Sequence, residues 1–203
     1  MEGMIKEPTT RNAKNTFNFI IESAMQLFYK NGYHGTTVNN ITKEAGIAAG
    51  TFYLYFPSKL ALYKHILIML SHDIRRIIAA KVAKKESRYD KEREGIKAFI
   101  LLAKERPHMY NIIWESLYID RELFRDYYQT FANRYVRNLN QAVKDNEVRD
   151  LDTDVVAFVL MGITNFVGLK VVLDLGNNND DIDKIIDVVM DLLNKGLFKK
   201  TSN

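Results

Sequence analysis

TTVNNITKEAGIAAGTFYLYFPSK, from Thr36 to Lys59, reads as two short helices joined by a glycine turn, with a third helix beginning at once. Ile41 and Ala45 share one face of the first helix, and Gly46 stands where that helix must stop. Glycine takes the left-handed conformation at a helix C-terminus without a Cβ penalty, so a sharp turn is cheap there. Ile47 is expected to re-enter the core, and Ala49 to Phe56 make a second short helix with Phe52 and Phe56 on one side. Pro57 ends it and Ser58 is placed to cap the next helix. Two helices of about two turns around a short glycine-containing turn have the dimensions of a helix-turn-helix.

Upstream, Phe17, Ile20, Ile21, Ala24, Leu27 and Phe28 recur at helical spacing and predict a first helix over 15–31, preceded by an arm over 1–13. Downstream, a long helix is expected over 58–85, lined by Leu60, Tyr63, Ile66, Leu67, Leu70 and Ile74. Further helices follow to about Glu105, from Pro107 at a first helical position, and from a cap at Asp120 to about Asp145. An eighth runs from Asp152 or Thr153 to near Gly176, and after the Asn177-Asn178-Asn179 turn a ninth spans 180–198. No segment alternates like a strand, so the expected class is all-α with about nine helices.

The chain has 203 residues, 47% hydrophobic and 27% charged, a composition of globular rather than disordered proteins. It has no cysteine, which excludes disulfides and thiolate metal sites. Residues 1–65 hold seven Lys and Arg against four Glu, a net +3 of the chain's +4, which leaves a weak positive field on the N-terminal segment. The apolar residues between Phe17 and Phe28 are interrupted by Asn18, Glu22 and Gln26 and do not read as a secretory leader. Val155 to Leu173 contains Thr164, Asn165 and Lys170, and its uncharged run is expected to fall short of a bilayer span. His34, His65, His72 and His108 are scattered, and there is no glycine-rich phosphate loop and no nucleophile elbow. Asp180, Asp181 and Asp183 suit the first turn of a helix as well as they suit a cation. An enzyme, a resident metal and a cofactor are therefore not expected.

The stretch over about 15–65 resembles the DNA-binding signature of the TetR family of bacterial transcriptional regulators. The residues that carry the resemblance are Phe28 with Gly32, Thr36-Thr37, Ile41-Thr42, Ala45-Gly46-Ile47, Gly50-Thr51-Phe52-Tyr53-Leu54-Tyr55-Phe56 and Ser58-Lys59. Thr42 replaces the family's usual Ala, and Ala48 replaces a frequent capping Ser. A reading helix presents its first residues to base edges in the major groove. Burying Phe52 and Phe56 leaves Ala49, Thr51, Tyr53 and Leu54 facing out, and Asn39 is placed to read an adenine edge. By resemblance Thr37, Tyr55 and Lys59 hold the phosphate backbone.

The resemblance also divides the chain into a DNA-binding head, 1–57, and a ligand-binding and dimerisation body, 58–203. It implies a small apolar or amphipathic effector buried among the body's aromatics. The candidates are Phe99, Tyr110, Trp114, Tyr118, Tyr127, Tyr128, Phe131, Phe158 and Phe166, with Asn165, Glu115 and the Tyr110 and Tyr128 hydroxyls as polar handles. Aromatics at helical spacing also make ordinary core. Gly162 and Gly168 permit close helix approach, and the helices at 152–176 and 180–198 are expected to meet their twofold copies as a four-helix bundle. The resulting expectation is a cytoplasmic homodimeric repressor on a palindromic operator, released when ligand shifts the fourth helix. The rival is a helical ligand-binding or scaffolding protein whose helix-turn-helix reads no DNA; Thr42, Ala48 and Leu54 keep it open.

Overall fold

The computed structural model describes residues 5–173 and 182–195, and these are helical with no strand among them. In order they form α1 (Arg11–Asn31), α2 (Val38–Glu44), α3 (Ala49–Tyr55), α4 (Lys59–Val82) and α5 (Arg88–Glu105). α6 (His108–Ile119), α7 (Arg121–Lys144), α8 (Thr153–Leu173) and α9 (Ile182–Lys195) follow. The all-α class is as expected. The Asn177–Asn179 turn, Asp180, Asp181 and the expected ends near 176 and 198 lie outside the described residues.

Side-chain caps set most of the boundaries. Thr10 accepts from the Ala13 amide at 3.3 Å, so α1 starts four residues before the expected 15 and takes in part of the arm. Ser58 accepts from the Ala61 amide at 3.1 Å, Ser87 from Asp90 at 3.0 Å, and Asp120 from Glu122 and Leu123. Asp152 does the same for Asp154 and Val155. α4 ends at Val82, short of Lys85, and α6 begins at His108, one residue after Pro107.

Packing gathers the chain into two compact units. One takes residues up to 72 with 108–128; the other takes 73–107 with residues from 129 onward. These packing units are not the head and body expected from the resemblance, since α6 packs on α1 and so belongs with the first unit. The core of that unit is Ile20, Ala24, Phe28, Ile41, Phe52, Phe56, Leu62, Tyr63, Ile66 and Ile112, all essentially inaccessible. Ile47, expected in the core, is half-buried.

In the second unit, Ile96 and Ile100 of α5 pack with Val171 of α8 and with Ile186, Val189 and Met190 of α9. Leu139, Ala157 and Leu160 form a smaller cluster. Arg93–Asp187 at 2.7 Å and Lys97–Asp183 at 2.6 Å tie α5 to α9 along its rim. The Arg88 guanidinium and the Tyr135 hydroxyl both bond the Glu92 carboxylate, which lifts the Tyr135 hydroxyl well above the ordinary phenol range, chiefly through burial. α8 is 21 residues long with a mean hydropathy of 2.1 over its most apolar 18. By length and composition it is sufficient to cross a bilayer, which corrects the expectation that its run is too short.

Candidate nucleic-acid interface

The interface is built in the first unit by α2, the Gly46 turn and α3. Gly46 takes φ +67, where a side chain would be strained, and Ile47 donates back to the Thr42 carbonyl at 3.0 Å. The Thr42 hydroxyl, buried, bonds the Asn39 carbonyl at 3.2 Å, so the replacement of Ala is absorbed inside the helix. Thr37 and Asn40 form a reciprocal capping box at the start of α2: Thr37 Oγ1 accepts from the Asn40 amide at 3.1 Å and Asn40 Oδ1 from the Thr37 amide at 2.9 Å. The sequence reading passed over Asn40, although its spacing from Thr37 is the signal. α3 has no such cap, because Ala48 has no side-chain oxygen to offer.

Phe52 and Phe56 are fully buried and turn the opposite side of α3 to solvent. Tyr53 is 55% exposed and Leu54 61%, large values for residues of their type in a short helix. Ala49, Thr37 and Asn39 are exposed, while Thr51 is half-buried. Tyr55 is also half-buried; its ring meets Phe17 edge-on at 5.7 Å and its carbonyl accepts from the Lys6 amide at 3.2 Å, which lays the arm beside the end of α3.

Lys59, expected by resemblance to hold the phosphate backbone, is bound to the turn that precedes α2. Its ammonium donates to the Tyr33 and Thr36 carbonyls, both at 2.6 Å, and lies 4.0 Å from the centre of the Tyr33 ring. Burial holds its pKa below the ordinary lysine value, with the nearby Glu115 charge working in the other direction.

The expected effector residues divide between the units. In the first, Trp114, Phe124, Tyr127 and Tyr128 form a chain of ring contacts, at 6.3 Å from Trp114 to Phe124, 4.8 Å to Tyr128 and 5.2 Å on to Tyr127. Tyr110 is buried in the same unit, and burial raises the hydroxyls of both Tyr110 and Tyr128, the latter to about 12. Tyr118, at 83% exposure, faces solvent rather than any interior. In the second unit Phe99 is buried, Phe131 lies under the Arg75 guanidinium at 5.3 Å, and the Asn165 amide donates to the Met161 carbonyl at 2.8 Å. Phe158 and Phe166 are exposed on α8. The Glu115 carboxylate, expected as a polar handle, accepts from the Tyr33 amide at 2.7 Å. Among the described residues no three His, Asp or Glu come together as metal ligands.

Residues 20–66 match the family model for bacterial regulatory proteins of the tetR family. The HTH-type transcriptional regulator YuxN of Bacillus subtilis is 48% identical over 59 residues, 29% of this chain. The fatty acid metabolism regulator protein of the same organism is 37% identical over 71 residues, 33% of this chain. Those alignments span only 19% and 37% of the two relatives' own length. The fold is similar to the crystal structure of the regulator FadR from Bacillus subtilis in complex with stearoyl-CoA, with a TM-score of 0.73 and 21% identity. That likeness covers 90% of this chain and 100% of the other. The likeness in the head is to transcriptional regulators and not to enzymes, and it is the region that carries the helix-turn-helix, residues 20–66, that matches the tetR family of bacterial regulatory proteins.

Proposed function

We propose that the protein is a cytoplasmic, ligand-responsive repressor that binds a palindromic operator as a homodimer. The observation that carries this reading is the pair Tyr53 and Leu54, held out from α3 by a buried Phe52 and Phe56. Large apolar and aromatic side chains on a rigid two-turn helix suit thymine methyls and groove shape more than a bidentate base contact. Ala49, Thr51 and Asn39 complete the base-facing set. Thr37, Tyr55 and Lys59 face the phosphates; an ammonium has three donors, so two carbonyls still leave Lys59 one for a phosphate oxygen. The head at 1–57 reads and the body at 58–203 senses and dimerises.

The effector class is an apolar or amphipathic small molecule, for which the α6–α7 ring cluster of Trp114, Phe124, Tyr127 and Tyr128 is the proposed wall. A fatty acid metabolism regulator among the relatives and a stearoyl-CoA complex among the similar folds favour a long acyl chain. Its binding shifts α4 and thereby weakens the operator complex.

The test is fluorescence anisotropy of the full chain on the DNA flanking its own gene, across a salt series. The expected result is saturable binding with a steep salt slope, weakened about tenfold, or ~1.4 kcal/mol, by Tyr53→Ala. Equal binding to unrelated DNA, or a Tyr53→Ala protein as tight as wild type, would transfer the function to the aromatic body.

A further inference from the structure

We infer that Glu115 of α6 is a positioning residue for the DNA-reading head, its carboxylate completing the turn that sets α2 in place. The inference rests on the operator-binding reading and adds to it a residue that touches no DNA.

The chain leaves α1 at Gly32, with φ +72, and enters α2 at Thr37. A buried or half-buried turn must account for each backbone polar group. The Gly32 amide donates to Phe28 O at 2.9 Å, and the Thr36 hydroxyl donates to Gly32 O at 2.8 Å. The Thr36 amide reaches Tyr33 O at 3.3 Å, and the Thr37 amide is held in the capping box. Lys59 closes the Tyr33 and Thr36 carbonyls. The Tyr33 amide is satisfied from outside the head sequence, by Glu115 Oε1 at 2.7 Å, 82 residues away.

Two further features show the fit. A Cβ built on Gly32 would stand 2.9 Å from Glu115 Oε1, so a side chain at 32 would have to displace the carboxylate from its present place. The turn is thus held from one side by an anion on its N–H and from the other by a cation on its C=O groups, both charge-assisted bonds. α6 also accepts from the buried Tyr63 hydroxyl of α4 through the Ile112 carbonyl, which ties α6 to α4. With the acceptor removed, the Tyr33 amide must find water and the turn loosens. Thr37 and Asn39, carried at the exposed start of α2, then lose their register with α3.

The experiment compares full-length wild type with Glu115→Leu and Glu115→Gln on the same operator DNA, below the melting temperature of each. Removing a negative charge from a DNA-binding protein should by itself tighten binding. We expect the opposite for Glu115→Leu: operator affinity about tenfold weaker with an unchanged salt slope, since no phosphate contact is lost. Glu115→Gln keeps an oxygen acceptor and should bind at least as tightly as wild type. Hydrogen exchange should show the Tyr33 amide protected in wild type and Glu115→Gln and open in Glu115→Leu. Where Leu prevents folding, Glu115→Asp carries the same test, because it keeps the charge but withdraws the oxygen by one methylene. Wild-type affinity in Glu115→Leu or Glu115→Asp, or a freely exchanging Tyr33 amide in wild type, would overturn the inference alone. A wild type that binds no operator overturns the DNA-binding reading and this inference with it.

Discussion

His65 stands half-buried in the first unit, its ring edge-on to Phe17 at 5.3 Å and against Phe56 at 5.8 Å. Burial lowers its pKa below the free-histidine value, with the Glu7 charge opposing. A depressed folded pKa means the unfolded chain binds the proton more readily, so the stability this site contributes is complete above about pH 6.5 and is lost as pH falls through the folded value. The melting temperature should therefore drop on acidification below about pH 6.5, and part of that drop should vanish in His65→Asn, which cannot charge. An identical pH profile in the variant would remove His65 as its cause. Nothing in the sequence around position 65 separates this imidazole from a solvated one, because its environment is supplied by α1 and α3. The same is true of Lys59. Its place after Pro57-Ser58 is legible, but the two carbonyls it closes become visible only once the 33–36 turn is built.

At the scale of elements, apolar period and caps carried most of the reading, and they failed where they disagreed. α1 begins at Arg11 because Thr10 caps it, although the apolar stripe starts only at Phe17; periodicity places the buried face, and the cap places the end. α2 and α3 were legible almost residue for residue, since glycine at positive φ and a pair of phenylalanines four apart leave few alternatives. The α6–head contact was not legible, because a hydrogen bond between Tyr33 and Glu115 leaves no period or spacing in the chain. α3 is the element most open to improvement. Ala48 has the extended backbone of an N-cap, φ −72 and ψ 149, but no side-chain acceptor. Ala48→Ser should add a hydroxyl for the amides at the start of α3 and raise the unfolding free energy by about 1 kcal/mol in urea titration. A change within experimental error would mean that the α3 N-terminus is already satisfied by solvent.

At the scale of the molecule, α8 and α9 turn large apolar side chains to solvent. Along α8, Val155, Phe158, Val159 and Phe166 form an exposed apolar stripe at helical spacing, Phe166 reaching 64% exposure, and Val188 and Leu192 are exposed on α9. Gly162 lies within that stripe with nothing within 4 Å of a built Cβ, so a second backbone has room to approach there. A monomer in water would leave this surface unburied at a cost that scales with its area. In the proposed homodimer a second copy of the chain would cover it with like surface, and two reading helices would then meet two half-sites. Phe166→Asp discriminates, because a charge on an exposed face barely affects a monomer, whereas the same charge trapped at an interface costs several kcal/mol, on the order of 3–5. In sedimentation equilibrium the wild type should give twice the 23.5 kDa chain mass and Phe166→Asp should give 23.5 kDa at unchanged helicity. The variant's operator affinity should collapse in parallel, since each half-site is then held by one head alone. A wild type that sediments at the mass of one chain would sink the dimer, and wild type recovered with lipid vesicles would assign the stripe to a bilayer, which the length and hydropathy of α8 allow.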